Sequence, residues 1–179
     1  MTKTEKLLRE LIALPSVNPA FLPARHPHAG EQGVAEFLAA TAAQAGLDVE
    51  LQPVSPRRSN LLARLTPRGK VRQRVLLAPH LDTVNATDEQ FTPAKRNGRL
   101  FGRGACDTKG PAATMLMALC DMAQARQRPA DTEIIFAGLV DEEHGQAGSR
   151  ALVASGLTAD LAIVGEPTRL EVVTAHKGT

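Results

Sequence analysis

The chain of 179 residues has no tryptophan and no tyrosine, and its five phenylalanines supply an aromatic content of only 3%. Single-stranded nucleic acid is held largely by stacking bases on aromatic rings, so a stacking surface has almost nothing to be made from here. Charge of one sign is also scarce. Lys+Arg 21 against Asp+Glu 19 leaves +2, far from the basic excess that a phosphate backbone calls for, and no nucleic-acid partner is expected. Two cysteines, Cys106 and Cys120, are too few for a disulfide framework and fit a reducing, cytoplasmic setting. Long apolar runs are missing too. The first ten residues, MTKTEKLLRE, carry charges throughout, and no later run approaches the roughly 20 residues of a membrane span. Neither secretion nor a membrane partner is expected. What is present, 43% hydrophobic and 22% charged residues, suits one domain over 1–179 with a real core.

Periodicity supplies the elements. Leu7, Leu8, Leu11 and Leu14 lie on one helical stripe, with a capping box from Thr2 to Glu5 ahead of them and Pro15 as the stop. A Pro-, His- and Ala-rich loop then runs to Gly30, and a second helix is expected from about Glu31 to Ala45, burying Val34, Phe37 and Leu38. Short β-like runs follow at 49–54, 61–65 and 75–78. The third is apolar on both faces and reads as the buried central strand. Arg68, Lys70, Arg72 and Arg74 alternate just before it; a solvated connection is favoured over an anion site. Beyond it come a helix at 109–125 with Met115, Leu119 and Met122 inward, a strand at 134–140, a helix at 147–155 and a strand at 161–164. Helices alternating with strands predict an α/β fold, a mixed and mostly parallel sheet covered on both faces. The methionines then fill core space.

The chemistry-bearing residues cluster at element ends. His80 and Asp82 follow the strand at 75–78, Glu142 and Glu143 follow 134–140, Glu166 follows 161–164, and Asp107 sits in a Gly-rich turn that opens a helix. In open α/β sheets the carboxyl ends of the strands form the ligand crevice. Carboxylates crowded there repel one another, and a divalent cation relieves the conflict. One imidazole with several carboxylates and no obligatory thiolate suits zinc, with cobalt or manganese as alternatives. In an extended stretch, residues i and i+2 face the same way, so Asp82 can take the N–H of the His80 ring nitrogen turned away from the metal. Glu142 and Glu143 point apart in an extended chain, so one is free to bind metal while the other moves a proton. Read alone, DEEHG is equally well a solvated acidic turn capping the helix near Ala147. His26, His28 and Cys106 receive no role, and His144 reads as an exposed turn residue. No nucleophile elbow, P-loop or complete G-x-G-x-x-G run occurs.

Four strings in order, LLAPHLDTV (76–84), GRGACDTKGP (102–111), DEEHGQAGS (141–149) and VGEPT (164–168), resemble the M20 metallopeptidase and deacylase family. Within it, LIALPSVNP and GEPTRLEVVTAHKG are most similar to enzymes of the acetylornithine deacetylase and succinyl-diaminopimelate desuccinylase type. The resemblance implies two divalent metal ions bridged by Asp107, with His80 and Glu166 on one and Glu143 on the other. Glu142 would be the general base and acid and Asp82 the partner that orients His80. It also implies a cis peptide after Asp107, no ligand role for His176, and a small N-acyl amino acid or peptide as substrate. Full-length members of the family are about twice as long. They insert a lid or dimerisation domain after a segment like AHKG, return to supply a further His ligand, and form homodimers. The expectation is therefore the N-terminal catalytic portion of a dinuclear-metal amidohydrolase without its lid domain. The competing readings are a non-catalytic metal-binding fragment that needs a lid domain or partner chain, and an unrelated α/β binding protein.

Overall fold

A computed structural model describes residues 1–125, 128–169 and 171. Helix α1 spans Lys3–Ala13, with the Thr2 side chain accepting from the Glu5 N–H. Only that half of the expected capping box forms, because the Glu5 carboxylate turns instead to Arg9 and Lys95. Helix α2 covers Gln32–Gln44 and buries Val34 and Leu38, with Phe37 partly covered. The hairpin β1 (Asp48–Ser55) and β2 (Arg58–Leu65) leads to β3 (Gln73–Ala78). A small hairpin, β4 (Ala94–Arg96) and β5 (Arg99–Phe101), turns through Asn97 and Gly98, both at positive φ. Periodicity predicts no element there; the asparagine–glycine pair between two three-residue runs is the one sequence signal for it. Then come α3 (Lys109–Gln124), β6 (Thr132–Gly138), α4 (Ala147–Ala154) and β7 (Leu161–Val164).

The five large strands form one mixed sheet ordered β1-β2-β6-β3-β7. Strands β6, β3 and β7 are parallel, and β2 lies antiparallel to β6. Alternation on β2 sends Leu61, Ala63 and Leu65 to one face, where they meet Leu11 of α1, Leu38 of α2 and Leu116 of α3. Leu62 on the opposite face meets Ala137 and Leu152 of α4. The α/β architecture with helices on both faces is the expected one. The expectation that β3 would be the deeply buried strand is corrected. Val75, Leu76 and Leu77 are only partly covered, whereas Ile135, Phe136 and Ala137 of β6 are fully buried. Strand β6 sits at the sheet centre with helices over both sides; β3 borders β7, whose Leu161, Ile163 and Val164 are exposed among the described residues. The basic run before β3 is solvated at Arg68, Lys70 and Arg72, while Arg74 pairs with Glu133 at 2.6 Å.

Candidate metal centre

Three parallel strands ending side by side deliver their following residues to one edge of the sheet. Past β3 the pairing continues, with Leu81 N donating to Leu139 O (2.7 Å) and Leu139 N to Pro79 O (3.0 Å), which seats His80 opposite Leu139. His80 Nε2 lies 2.9 Å from Asp107 Oδ1 and 3.8 Å from both Glu142 Oε2 and Glu166 Oε1. His80, Asp107 and Glu143 place ligand atoms within 4.8 Å of one another, as do His80, Glu142 and Glu166. Five of the six residues read from the sequence therefore offer ligand atoms to one place, and the sixth, Asp82, stands beside His80. His80 is buried, whereas the side chains of Asp107, Glu142 and Glu166 remain 39–49% exposed. The mouth of the site is open.

Asp107 is placed by its neighbours at the head of α3. Its peptide to Thr108 is cis, as the family resemblance implied. The Thr108 hydroxyl donates to His80 O at 2.7 Å, tying the two halves of the site together. Lys109 is almost wholly buried, and its Nζ donates to Leu11 O (2.8 Å) and Leu14 O (2.6 Å) at the C-terminus of α1. An ammonium there satisfies end-of-helix carbonyls and complements the helix dipole. Burial pushes its pKa down to about 7.

Asp82 does more than the i+2 argument expected. His80 Nδ1 is nearest to the Asp82 carbonyl oxygen, at 3.0 Å, with the carboxylate Oδ1 at 3.5 Å. The carboxylate mainly accepts other donors: Glu142 N on Oδ1 and Glu143 N on Oδ2, each 3.0 Å, and Asn18 Nδ2 on Oδ2 at 2.7 Å. Burial opposes ionisation of Asp82, but His80 and these donors hold its pKa below the usual value. The acidic turn does cap the following helix, though through a buried Asp141 rather than a solvated one. Asp141 Oδ2 accepts from Ala147 N (3.1 Å) and caps α4, while Glu142 and Glu143 face the cluster.

The donor set fits a cation. Burial alone would depress the His80 pKa, yet Asp107, Asp82 and Glu166 raise it to about 10. Desolvation, with Asp107, Glu142 and Glu143 nearby, raises Glu166 to about 7, and Glu143 moves in the same direction. Protons are thus retained where negative charge is crowded, which is the position a divalent ion takes in a set of carboxylates and one imidazole.

The remaining candidates stay outside. His144 is an exposed turn residue edge-on to Phe21, Cys106 is exposed, and His26 and His28 meet edge to face in their loop. His176 lies outside the described residues. The buried support of Asp141 is not visible in the sequence. Arg58 binds Glu31 (Nε to Oε2, 2.8 Å, with a second, closer contact from Nη2) and also donates to Asp141 Oδ1 at 3.1 Å. An acid directly before a helix and an arginine after a turn are ordinary surface features in sequence, so nothing there announced this pair.

The family model for "Peptidase family M20/M25/M40" matches residues 76–177, which hold His80, Asp82, Asp107, Glu142, Glu143 and Glu166. The chain belongs to the M20 peptidase family. It is 34% identical to an acetylornithine deacetylase of Photorhabdus laumondii across 97% of this chain and 45% of that protein. It is also 36% identical to the acetylornithine deacetylase of Yersinia pseudotuberculosis across 97% of this chain and 46% of that one. The chain thus spans less than half the length of the curated M20 relatives it matches. Its fold is shared with human carnosine dipeptidase 1 (TM-score 0.74, 21% identity, 90% of this chain and 37% of that one). A Sulfolobus solfataricus M20 metallo-carboxypeptidase gives a TM-score of 0.71 at 19% identity, over 92% of this chain and 37% of that one. No helix among the described residues is long and apolar enough to cross a membrane.

Proposed function

We propose that this M20 chain is the N-terminal catalytic part of a cytoplasmic, metal-dependent amidohydrolase that cleaves N-acylated amino acids of the acetylornithine kind. The observation that carries the reading is the convergence of His80, Asp107, Glu142, Glu143 and Glu166 at the carboxyl ends of β3, β6 and β7. His80, Asp107, Glu143 and Glu166 are the residues to hold two divalent ions, zinc ahead of cobalt or manganese. Such ions, when bound, polarise the scissile carbonyl and make water acidic enough to attack at neutral pH.

The chain's own groups do the rest. Glu142 takes the proton of the attacking water and returns it to the departing amide nitrogen, a role that needs a carboxylate free to swing, and its side chain is 44% exposed. Asp82 holds the backbone of Glu142 and Glu143 and keeps the His80 ring in one orientation. The 34–36% identity to acetylornithine deacetylases favours the deacetylase branch over peptidases. In its full-length form the protein is proposed to be a homodimer, on the family resemblance.

A second reading has its own support. The half-exposed Asp107, Glu142 and Glu166, together with the 45% share of a relative's length, favour a metal-binding portion that turns over substrate only with further protein around it. Metal stoichiometry and hydrolysis of N-acetylornithine by the 179-residue chain separate the two. Two tightly held ions with turnover support the first reading, one ion without turnover supports the second, and no ion at all overturns both. In an active form, Glu142→Gln should retain metal and lose turnover by about 10²–10⁴-fold. Substantial residual turnover would sink the role given to Glu142.

A further inference from the structure

Asn18 lies in the loop after α1, far in sequence from every site residue, and it is fully buried. Its Oδ1 accepts from Ala20 N at 3.0 Å, which fixes the orientation of the amide group. The Nδ2 end therefore faces inward, and its hydrogens go to Asp82 Oδ2 (2.7 Å) and Asp141 Oδ1 (3.0 Å). These carboxylates come from the ends of β3 and β6. Each is itself the anchor of part of the turn that carries Glu142 and Glu143. Asp82 accepts the N–H groups of both glutamates, and Asp141 accepts the N–H of Ala147 where α4 begins. Asp141 is held from its other side by Arg58 and by donation of its own N–H to Glu31 at 3.1 Å.

We propose that Asn18 is a positioning residue for the metal centre: its amide group bridges Asp82 and Asp141 and thereby sets where Glu142 and Glu143 stand relative to His80. The inference rests on the metal-dependent reading above and adds to it a residue of LIALPSVNP, apart from the four strings that carry the ligands. The physical need is specific. Two buried carboxylates that approach a common point repel unless a donor stands between them. A cation such as lysine would hold them together but cancel charge beside the ligands; a neutral amide supplies two donors and leaves both carboxylates ionised. The backbone bonds of Asn18, from its N–H to Thr83 O (2.9 Å) and from Phe21 N–H to its carbonyl (3.0 Å), fix it in place in that gap.

The test is Co²⁺ titration of the 179-residue chain, read by affinity and by the visible absorption of the bound ion, which reports ligand geometry. Asn18→Asp keeps the size and the Ala20 contact but puts a third carboxylate between the other two. It is expected to weaken Co²⁺ binding about 10–100-fold and to change the shape of the spectrum. Asn18→Ala should act in the same direction, and Asn18→Ser, which keeps a short donor, should fall between it and the parent chain. Val34→Ala, in the core of α2, serves as the control. It should lower the thermal midpoint with affinity and spectrum unchanged. Parent-like affinity and spectrum in whichever Asn18 variants fold would overturn the inference and leave the metal reading intact, as would a matching change in Val34→Ala. Failure of the parent chain to bind Co²⁺ would overturn the metal reading and this inference with it.

Discussion

Replacing Arg58 with methionine would leave a carboxylate in the core without its counter-charge. Glu31 is fully buried, and the Arg58 side chain is only 17% exposed, so water screens neither end of the pair well. At about 3 Å and an effective dielectric of roughly 20, the attraction is worth about 5 kcal/mol. Breaking a buried pair by removing one partner costs about 3–5 kcal/mol, because the survivor stays desolvated. A loss of about 4 kcal/mol at pH 7 follows for Arg58→Met, or about 2 M in urea midpoint for a slope near 2 kcal/mol/M. The pH dependence carries the mechanism. Burial already holds Glu31 above its usual pKa even with Arg58 beside it, and the variant raises it further. A carboxyl with a raised folded pKa contributes stability that is present below the unfolded value of 4.5 and lost as pH rises through the folded value. The deficit of Arg58→Met should therefore be largest at pH 7 and shrink toward pH 4.5, where folded Glu31 is mostly protonated, vanishing only below it as the unfolded carboxyl is protonated too. The double variant Arg58→Met/Glu31→Gln should recover most of the loss at pH 7. Urea denaturation at both pH values is the assay. A loss under about 1 kcal/mol at pH 7, or the same loss at both pH values, would refute the reasoning.

Gly148→Ala should destabilise by about 1–3 kcal/mol although alanine is the better helix former. A Cβ there would run into Val140 O and lie 2.6 Å from both Val140 N and Asn60 Oδ1, so α4 must move off the end of β6; a thermal midpoint at or above the parent's would contradict this. Cation affinity should rise with pH. A bound ion displaces protons from His80, held up to about 10, and from Glu166, at about 7. His80 must give up its proton through the neutral range and the raised carboxyls of Glu166 and Glu143 add theirs at lower pH, so affinity should steepen toward acid by up to about tenfold per pH unit per proton. Calorimetry in buffers of different ionisation enthalpy counts those protons, and zero release would exclude His80 and Glu166 as ligands.

Local pattern carried far in this chain because its chemistry sits directly after strands whose apolar character is plain. Val75 to Ala78, Ile134 to Gly138 and Leu161 to Val164 are visible as strands by composition, and parallel pairing brings their ends to one edge. His80, Glu142, Glu143 and Glu166 could then be placed together, and Asp107 joined them through the Gly-rich turn before α3. The hairpin of β4 and β5 was missed, since three-residue strands are too short for an alternation to register. The burial of β3 was overestimated because an apolar run says which residues can be covered, not which neighbours will cover them.

The sequence by itself determined the order of the longer helices and strands, the family resemblance, and which acids and which histidine stand at the candidate metal centre. All of these depend on periodicity or on short motifs within a few residues of one another. Only the tertiary structure decided how those residues are held. Asn18 reaches Asp82 and Asp141, Arg58 closes on Glu31, and Lys109 caps α1 from the head of α3. Each of these contacts joins segments distant in sequence, and each polar group involved would look like a surface residue until the fold removes the water around it. Burial turns an ordinary asparagine, arginine or lysine into a structural determinant of the site, and burial is a property of the whole chain.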